Sequence, residues 1–173
     1  MPELLIRAMR LADLPGVFAL QCRAHPADYH EPLEALASRL RAGHAHCFVA
    51  ECVGELLGYV FAHPWSGEPP PLHVPLPPSR PPDHVFLHDL AVCQASRRRA
   101  AGGRLHDAVL ESAVNAGLAD MQLVAVGAAR VFWLRKGFVE LPQARLHPAY
   151  GDAVLMRREL DLRDSAARTD LNQ

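Results

Sequence analysis

Apolar residues fall in short blocks along this chain, separated by polar or proline-rich stretches, and the spacing within each block predicts its structure. LLIRAM (4–9) reads as a first strand. Asp13 is placed as an N-cap with Pro15 in the first turn, and LPGVFALQCRAH continues as a helix. Pro32 opens a second helix, with Leu33, Leu36, Ala37 and Leu40 at helical spacing and Gly43 as its stop. Two β-rich runs flank Val53-Gly54-Glu55, a hairpin signal. HVFLHDLAV (84–92) is nearly all apolar, as expected of a buried central strand. Gly102 to Gly117 reads as a helix with Leu105, Val109, Leu110 and Ala113 on one face. MQLVAV is a strand, AARVFWLRKG a short helix ended by Gly137, and FVELP and AVLMRREL are the last strands. The order β-α-α-β-β-β-α-β-α-β-β belongs to an α/β (α+β) layered domain.

Residues 64–83 hold most of the prolines. Proline lacks a donor N–H, so this segment is expected to stay out of a sheet interior and to run as a surface loop. Loops of this length in a compact domain serve as connectors or as binding loops. The 173 residues suit a single domain, taken as 1–160, with 161–173 as a polar tail. The net charge of -1 gives no global attraction to nucleic acid or to an acidic membrane. Cys22, Cys47, Cys52 and Cys93 have no metal-type spacing, so no metal is expected, and they read as reduced thiols of a cytoplasmic protein. No signal peptide or membrane-spanning apolar run is seen.

The stretch LHDLAVCQASRRRAAGGRL (87–105) carries the chemistry. Small residues let a ligand approach the backbone, and the first turn of a helix offers unpaired N–H groups and a positive dipole end. The arginines Arg97, Arg98 and Arg99 add forked donors beside it. Together they fit an anion, best a phosphate, with a solvated basic turn before an Ala/Gly helix start as the plainer reading. The cluster is short and has no interleaved aromatic residues, which argues against nucleic acid.

Here the sequence resembles the GNAT superfamily of acetyl-CoA-dependent N-acetyltransferases. Leu90-Ala91-Val92, then Arg97-Arg98-Arg99-Ala100-Ala101-Gly102 opening a helix, is similar to its cofactor signature, and Ala129 to Phe138 is similar to its downstream A-x-x-F-Y-x-K-x-G-F element. The resemblance spans roughly residues 3–160. It implies a mixed, mostly antiparallel sheet of about seven strands with about four helices, splayed between strands 4 and 5. It places acetyl-CoA in that splay, with pantetheine on the backbone after Leu90, pyrophosphate on the amides of Arg98 to Gly103, and Trp133 beside the cofactor. No metal is implied, and the partner is an amine acceptor met by a monomer or homodimer.

Two positions depart from the pattern. Ala100 stands where the first glycine is expected, which is tolerable if the turn needs only helical φ. Trp133 stands where many members carry a tyrosine that can protonate the leaving thiolate; indole N–H can only donate a hydrogen bond. For the base, regular alternation puts Phe86, His88, Leu90 and Val92 on one face of the fourth strand and Leu87, Asp89 and Ala91 on the other. His88 is the candidate base or water-positioner, with a hydrogen-bonded strand histidine as the plainer reading. Asp89 is expected to steady a neighbour. His84 and Cys93 are weaker candidates for the chemistry, and His63 and His73 for the acceptor mouth. The competing reading is a catalytically degenerate CoA-binding sensor or interaction domain.

Overall fold

The computed structural model describes residues 2–78 and 80–161, without the side chains of Ala95 and Arg98; the polar tail expected at the C-terminus lies almost wholly outside the described residues. Seven strands form one sheet: β1 (Leu5–Ala8), β2 (Phe48–Cys52), β3 (Glu55–Trp65), β4 (His84–Val92), β5 (Asp120–Ala125), β6 (Val139–Glu140) and β7 (Val154–Glu159). Their spatial order is β1-β2-β3-β4-β5-β7-β6, and only β4 and β5 run parallel. Helices α1 (Leu14–Ala24), α2 (Leu33–Ala42), α3 (Ala101–Asn115) and α4 (Ala129–Arg135) complete the fold. No described helix is long and apolar enough to cross a membrane.

Two apolar clusters cover the sheet, and strand alternation sorts residues between them. On β3, Tyr59 and Phe61 pack with Val17 and Leu20 of α1 and Leu36 and Leu40 of α2. Val60 and Ala62 pack instead with Leu105 and Val109 of α3 and Trp133 of α4. The predicted element order is the observed one, and β4 has the expected limits.

Three local expectations differ. Asp13 precedes α1 but makes no side-chain cap to it; its carboxylate instead accepts from the Arg10 amide at 2.7 Å and from both terminal nitrogens of Arg7. The strand read over FVELP shrinks to Val139–Glu140. Pro64 lies inside β3, opposite Val85, rather than in the loop. Pairing with β2 ends at Val60, so further along β3 has a free edge where a residue without an N–H is tolerated.

The feature that shapes the site is a wedge. Pairing between β4 and β5 covers only His84–Phe86 against Asp120–Gln122, and beyond it the two strands part. Just there, β4 carries one extra residue: Phe61 opposes Asp89 and Ala62 opposes Leu87, leaving His88 without a partner across the ladder. Such a bulge bends a strand and sharpens its twist.

Gly43 ends α2 for a different reason from the usual left-handed stop. Its φ is -117°, but a Cβ there would lie 1.8 Å from the Ala62 carbonyl oxygen of β3. Gly43→Ala must push α2 off the sheet, so thermal unfolding should show a Tm lower by about 5 °C or more. An unchanged Tm would mean that this close approach is not there.

Candidate active site

The bulge at His88 resets which way β4 side chains point. Leu87 and Leu90 both belong to the α3 and α4 side of the sheet, while Ala91 packs with α1 and α2. His88 and Asp89 both reach partners on the α1/α2 side, Glu31 and His25 respectively. The alternation that grouped His88 with Leu90 is therefore corrected: the bulge breaks the two-residue period between them.

His88 is the end of a buried ionic chain. Its Nε2 donates to Glu31 Oε2 at 2.8 Å, since a carboxylate can only accept. Arg39 of α2 donates Nε to the same oxygen at 3.0 Å and a terminal nitrogen to Oε1 at 2.7 Å. The His73 amide adds a third donor to Oε1 at 2.9 Å. The Arg39 side chain is 0% exposed and that of Glu31 4%. Burial alone would raise the Glu31 carboxyl, but His88, Arg39 and the His73 amide outweigh it and hold the pKa at about 2. Glu31 is itself pinned through its backbone, its carbonyl and amide both bonded to the Gln21 side chain of α1. Beside His88, His63 is pushed down to about 3 by burial, with a further push from His88, and is neutral at ordinary pH.

The proline-rich segment is tied to this chain. Arg39 donates to the carbonyls of Pro71 and Val74, Ser38 accepts from the Leu76 amide, and Tyr150 donates to the Pro70 carbonyl at 2.6 Å. Leu72 thereby reaches the rim of the cleft.

A second line of polar groups enters from the sheet. Tyr59 of β3 donates to Asp89 Oδ2 at 2.6 Å, and His25, which caps α1, donates Nε2 to Asp89 Oδ1 at 2.8 Å. The bond to Asp89 raises the His25 pKa against the opposing effect of burial. Burial and the Asp89 charge push the Tyr59 phenol well above 10.

The opposite half of the same cleft is apolar, with Leu90 of β4, Leu123 and Val124 of β5, and Ala129 and Trp133 of α4. Trp133 is 6% exposed and stacks edge-on to Phe132 at 4.8 Å and Phe138 at 5.5 Å. Beyond β4 the chain makes a 3-10 turn over Gln94–Arg99 and reaches α3 through Ala100. Ala100 adopts φ 55°, so the turn does demand the left-handed region, at a cost of roughly 1 kcal/mol for a residue with a Cβ. The Arg104 amide closes on the Ala100 carbonyl at 3.0 Å, so the amides of Ala101, Gly102 and Gly103 precede the first helical bond. Lys136 of the α4 end stands beside them, its Nζ 3.2 Å from where a Gly103 Cβ would be. Arg97 is exposed, whereas Arg99 turns away to the Cys52 sulfur and the Pro2 carbonyl; the Arg98 side chain is outside the described residues.

The structure thus brings His88, Leu90 and Trp133 to one cleft, with Gly102 at its edge, where a Cβ would meet Leu90 at 3.7 Å and Phe132 at 3.8 Å. His84 and Cys93 are not among the residues lining it. Sequence reasoning missed His25, Glu31, Tyr59 and Lys136 as site residues. No spacing pattern joins them, because they lie on four separate segments. No group of three or more potential metal ligands occurs among the described residues.

A sequence model of the acetyltransferase (GNAT) family matches residues 14–138. No curated protein matches the chain significantly. Among solved structures, Ard1 from Thermoplasma volcanium is similar at 18% identity and a TM-score of 0.71, over 91% of this chain and 98% of that one. The ribosomal-protein-S18-alanine N-acetyltransferase from Escherichia coli gives 17% identity and a TM-score of 0.68, over 92% and 95%. The GNAT-like decarboxylase GphF in complex with isobutyryl-CoA gives 21% identity and 0.73, over 91% and 100%. At these identities the likeness is one of fold.

The ionic chain also has a pH signature. Glu31 has a folded-state pKa of about 2 against an ordinary value of 4.5, so its contribution to stability is present above 4.5 and lost as pH falls toward 2. Tm measured from pH 5 to pH 2.5 should fall less steeply in Glu31→Gln than in the wild type, from a lower starting value. Parallel slopes would mean that Glu31 is not held ionised.

Proposed function

The chain belongs to the GNAT acetyltransferase family, and on that premise we propose that it moves an acetyl group from acetyl-CoA directly to a primary amine. The observation that carries this reading is the wedge between β4 and β5, which is apolar along one wall, ends near the unpaired amides of α3, and opens at its other side onto ionisable groups. One end suits an anion, the middle an acyl thioester, and the far side a polar acceptor.

In this reading the backbone of Leu90, Ala91 and Val92, freed from β5 by the splay, pairs with pantetheine. An N–H of Leu90 or Ala91 steadies the carbonyl oxygen as it gains charge. The amides of Arg98, Arg99, Ala100, Ala101, Gly102 and Gly103 hold the pyrophosphate, with the Arg97 and Lys136 charges nearby. Trp133 packs against the acyl arm. His88 stays in the reaction centre in the role its geometry allows: with Nε2 committed to Glu31, it forms a fixed floor beside the acyl group. The thiolate leaves as the anion or takes a proton from solvent, because an indole cannot supply one. The acceptor is an amine; nucleic acid, membrane and metal play no part. The free thiols among the described residues fit a cytoplasmic protein acting as one domain, alone or as a homodimer.

Fold by itself does not choose the reaction, since the similar structures include a decarboxylase as well as acetyltransferases. The deciding assay is CoA release from acetyl-CoA with a panel of primary amines: glycinamide, an alanyl peptide, spermidine and phenethylamine. Acetylation of any of them supports transfer. Binding of acetyl-CoA with no turnover over a broad panel supports the sensor reading.

Calorimetry with CoA tests the cofactor half. Gly102→Asp sets a carboxylate at the anion end and should weaken binding more than Arg97→Ala, which should cost about 1 kcal/mol. Unchanged affinity in Gly102→Asp would remove the phosphate site from this turn. Trp133→Phe, assayed with the same panel, should keep most of the activity; collapse with the fold intact would give the indole N–H a role in the chemistry.

A further inference from the structure

Two imidazoles line the acceptor half of the cleft, and what holds them differs. The His88 side chain is 2% exposed, its Nε2 is bound to Glu31, and its Nδ1 is buried without a partner. The His25 side chain is 26% exposed. Its Nε2 is bound to Asp89, and its Nδ1 makes no hydrogen bond to the described residues. Asp89 accepts at Oδ1, so Nε2 carries the proton and Nδ1 presents a lone pair. The backbone of the residue is fixed as well. Its amide donates to the Gln21 carbonyl at 3.0 Å and its carbonyl accepts from His30 Nε2 at 2.7 Å.

Asp89 is in turn fixed by Tyr59, whose ring is fully buried in the sheet. A line of hydrogen bonds therefore runs from the core, through Tyr59 and Asp89, to an imidazole with one open nitrogen at the cleft. This is the arrangement of an oriented general base: one group accepts the proton, a second sets its tautomer, and a third holds the second.

Resting on the acetyltransferase reading above, we infer that His25 Nδ1 is the base that deprotonates the acceptor ammonium, with Asp89 and Tyr59 as its positioning residues. The ammonium gives one proton to His25 Nδ1. The amine lone pair then forms the N–C bond to the thioester carbonyl carbon, and the C–S bond breaks with its electron pair going to sulfur. The second nitrogen proton passes to that sulfur directly or through solvent, leaving an amide and CoA thiol. His25 returns its proton to solvent after product leaves. The groups around His25 are Asp89 of β4 with Tyr59 of β3 behind it, His88 and Glu31 in the same cleft, and His30 and Tyr29 of the segment between α1 and α2; of these, Asp89 is the one that raises its pKa, against burial.

The test is the pH dependence of kcat/KM with the fastest amine of the panel, alongside CoA affinity by calorimetry. His25→Gln should lower kcat by about 100-fold or more and abolish the acid limb, with CoA affinity within about twofold of wild type. His25→Ala should regain rate on addition of free imidazole. Asp89→Asn removes the charge that favours the imidazolium, so the limb should move to lower pH under a lower plateau. Tyr59→Phe strips a donor from Asp89, strengthens its hold on His25, and should move the limb the other way. An active wild type whose His25→Gln variant keeps both kcat and the limb overturns this inference alone. A wild type that binds acetyl-CoA and acetylates no amine overturns the acetyltransferase reading, and this inference with it.

Discussion

An arginine with no exposed side chain must find a partner for every donor it can, and the way Arg39 does so organises the acceptor half of the molecule. Its guanidinium joins α2 to Glu31 in the segment before that helix, and to two carbonyls of the proline-rich segment. Glu31 passes the linkage on to His88 at the bulge of β4. Removing one member of such a buried pair typically costs 3–5 kcal/mol, because the charge left behind is uncompensated. The loop has no regular structure of its own, yet it is held at Pro70, Pro71, His73, Val74 and Leu76 by side chains of the fold. Its prolines suit this use, since their backbones have little freedom to lose on docking and their carbonyls remain free to accept.

The two halves of the cleft are built from different materials. The half proposed for the cofactor relies on backbone: a splay that leaves strand groups unpaired, a left-handed Ala100, and a helix start with no Cβ at Gly102 and Gly103. The acceptor half relies on side chains drawn from α1, α2, β3, β4 and the long loop, which meet only when the sheet has formed. The His25–Asp89–Tyr59 line and the Arg39–Glu31–His88 chain lie side by side there, one with a nitrogen open to the cleft and one sealed.

This division explains what could be read from the sequence. The backbone half is local, so the anion turn after β4 and the LAV strand end were visible as contiguous residues, and the element order followed from apolar periodicity. Side-chain meetings across 57 and 64 positions, Glu31 to His88 and His25 to Asp89, leave no periodic trace. The bulge is also invisible in HVFLHDLAV, where every residue fits a strand, and missing it put His88 on the wrong face. Pro64 was excluded from the sheet by a rule that holds for paired neighbours; β3 outruns β2, and the rule no longer applies there. At Ala100 the residue type argued for ordinary backbone, and the surrounding turn overrode it.

The unpaired residue in β4 has a consequence for how this chain can change. Up to Leu87 the strand obeys the ladder, and after it everything is displaced by one position: Asp89 turns toward α1, Leu90 toward α3, and the strand leaves β5. What His88 contributes is therefore length as much as chemistry. A substitution there alters one side chain, and deleting His88 alone would close the bulge and leave Asp89, Leu90 and the residues after them opposite the same β3 partners and on the same sides of the sheet. What such a deletion would take away is the bend and added twist that the bulge gives β4 where it parts from β5, so the extra residue matters for the opening of the wedge rather than for the facing of the side chains that follow it.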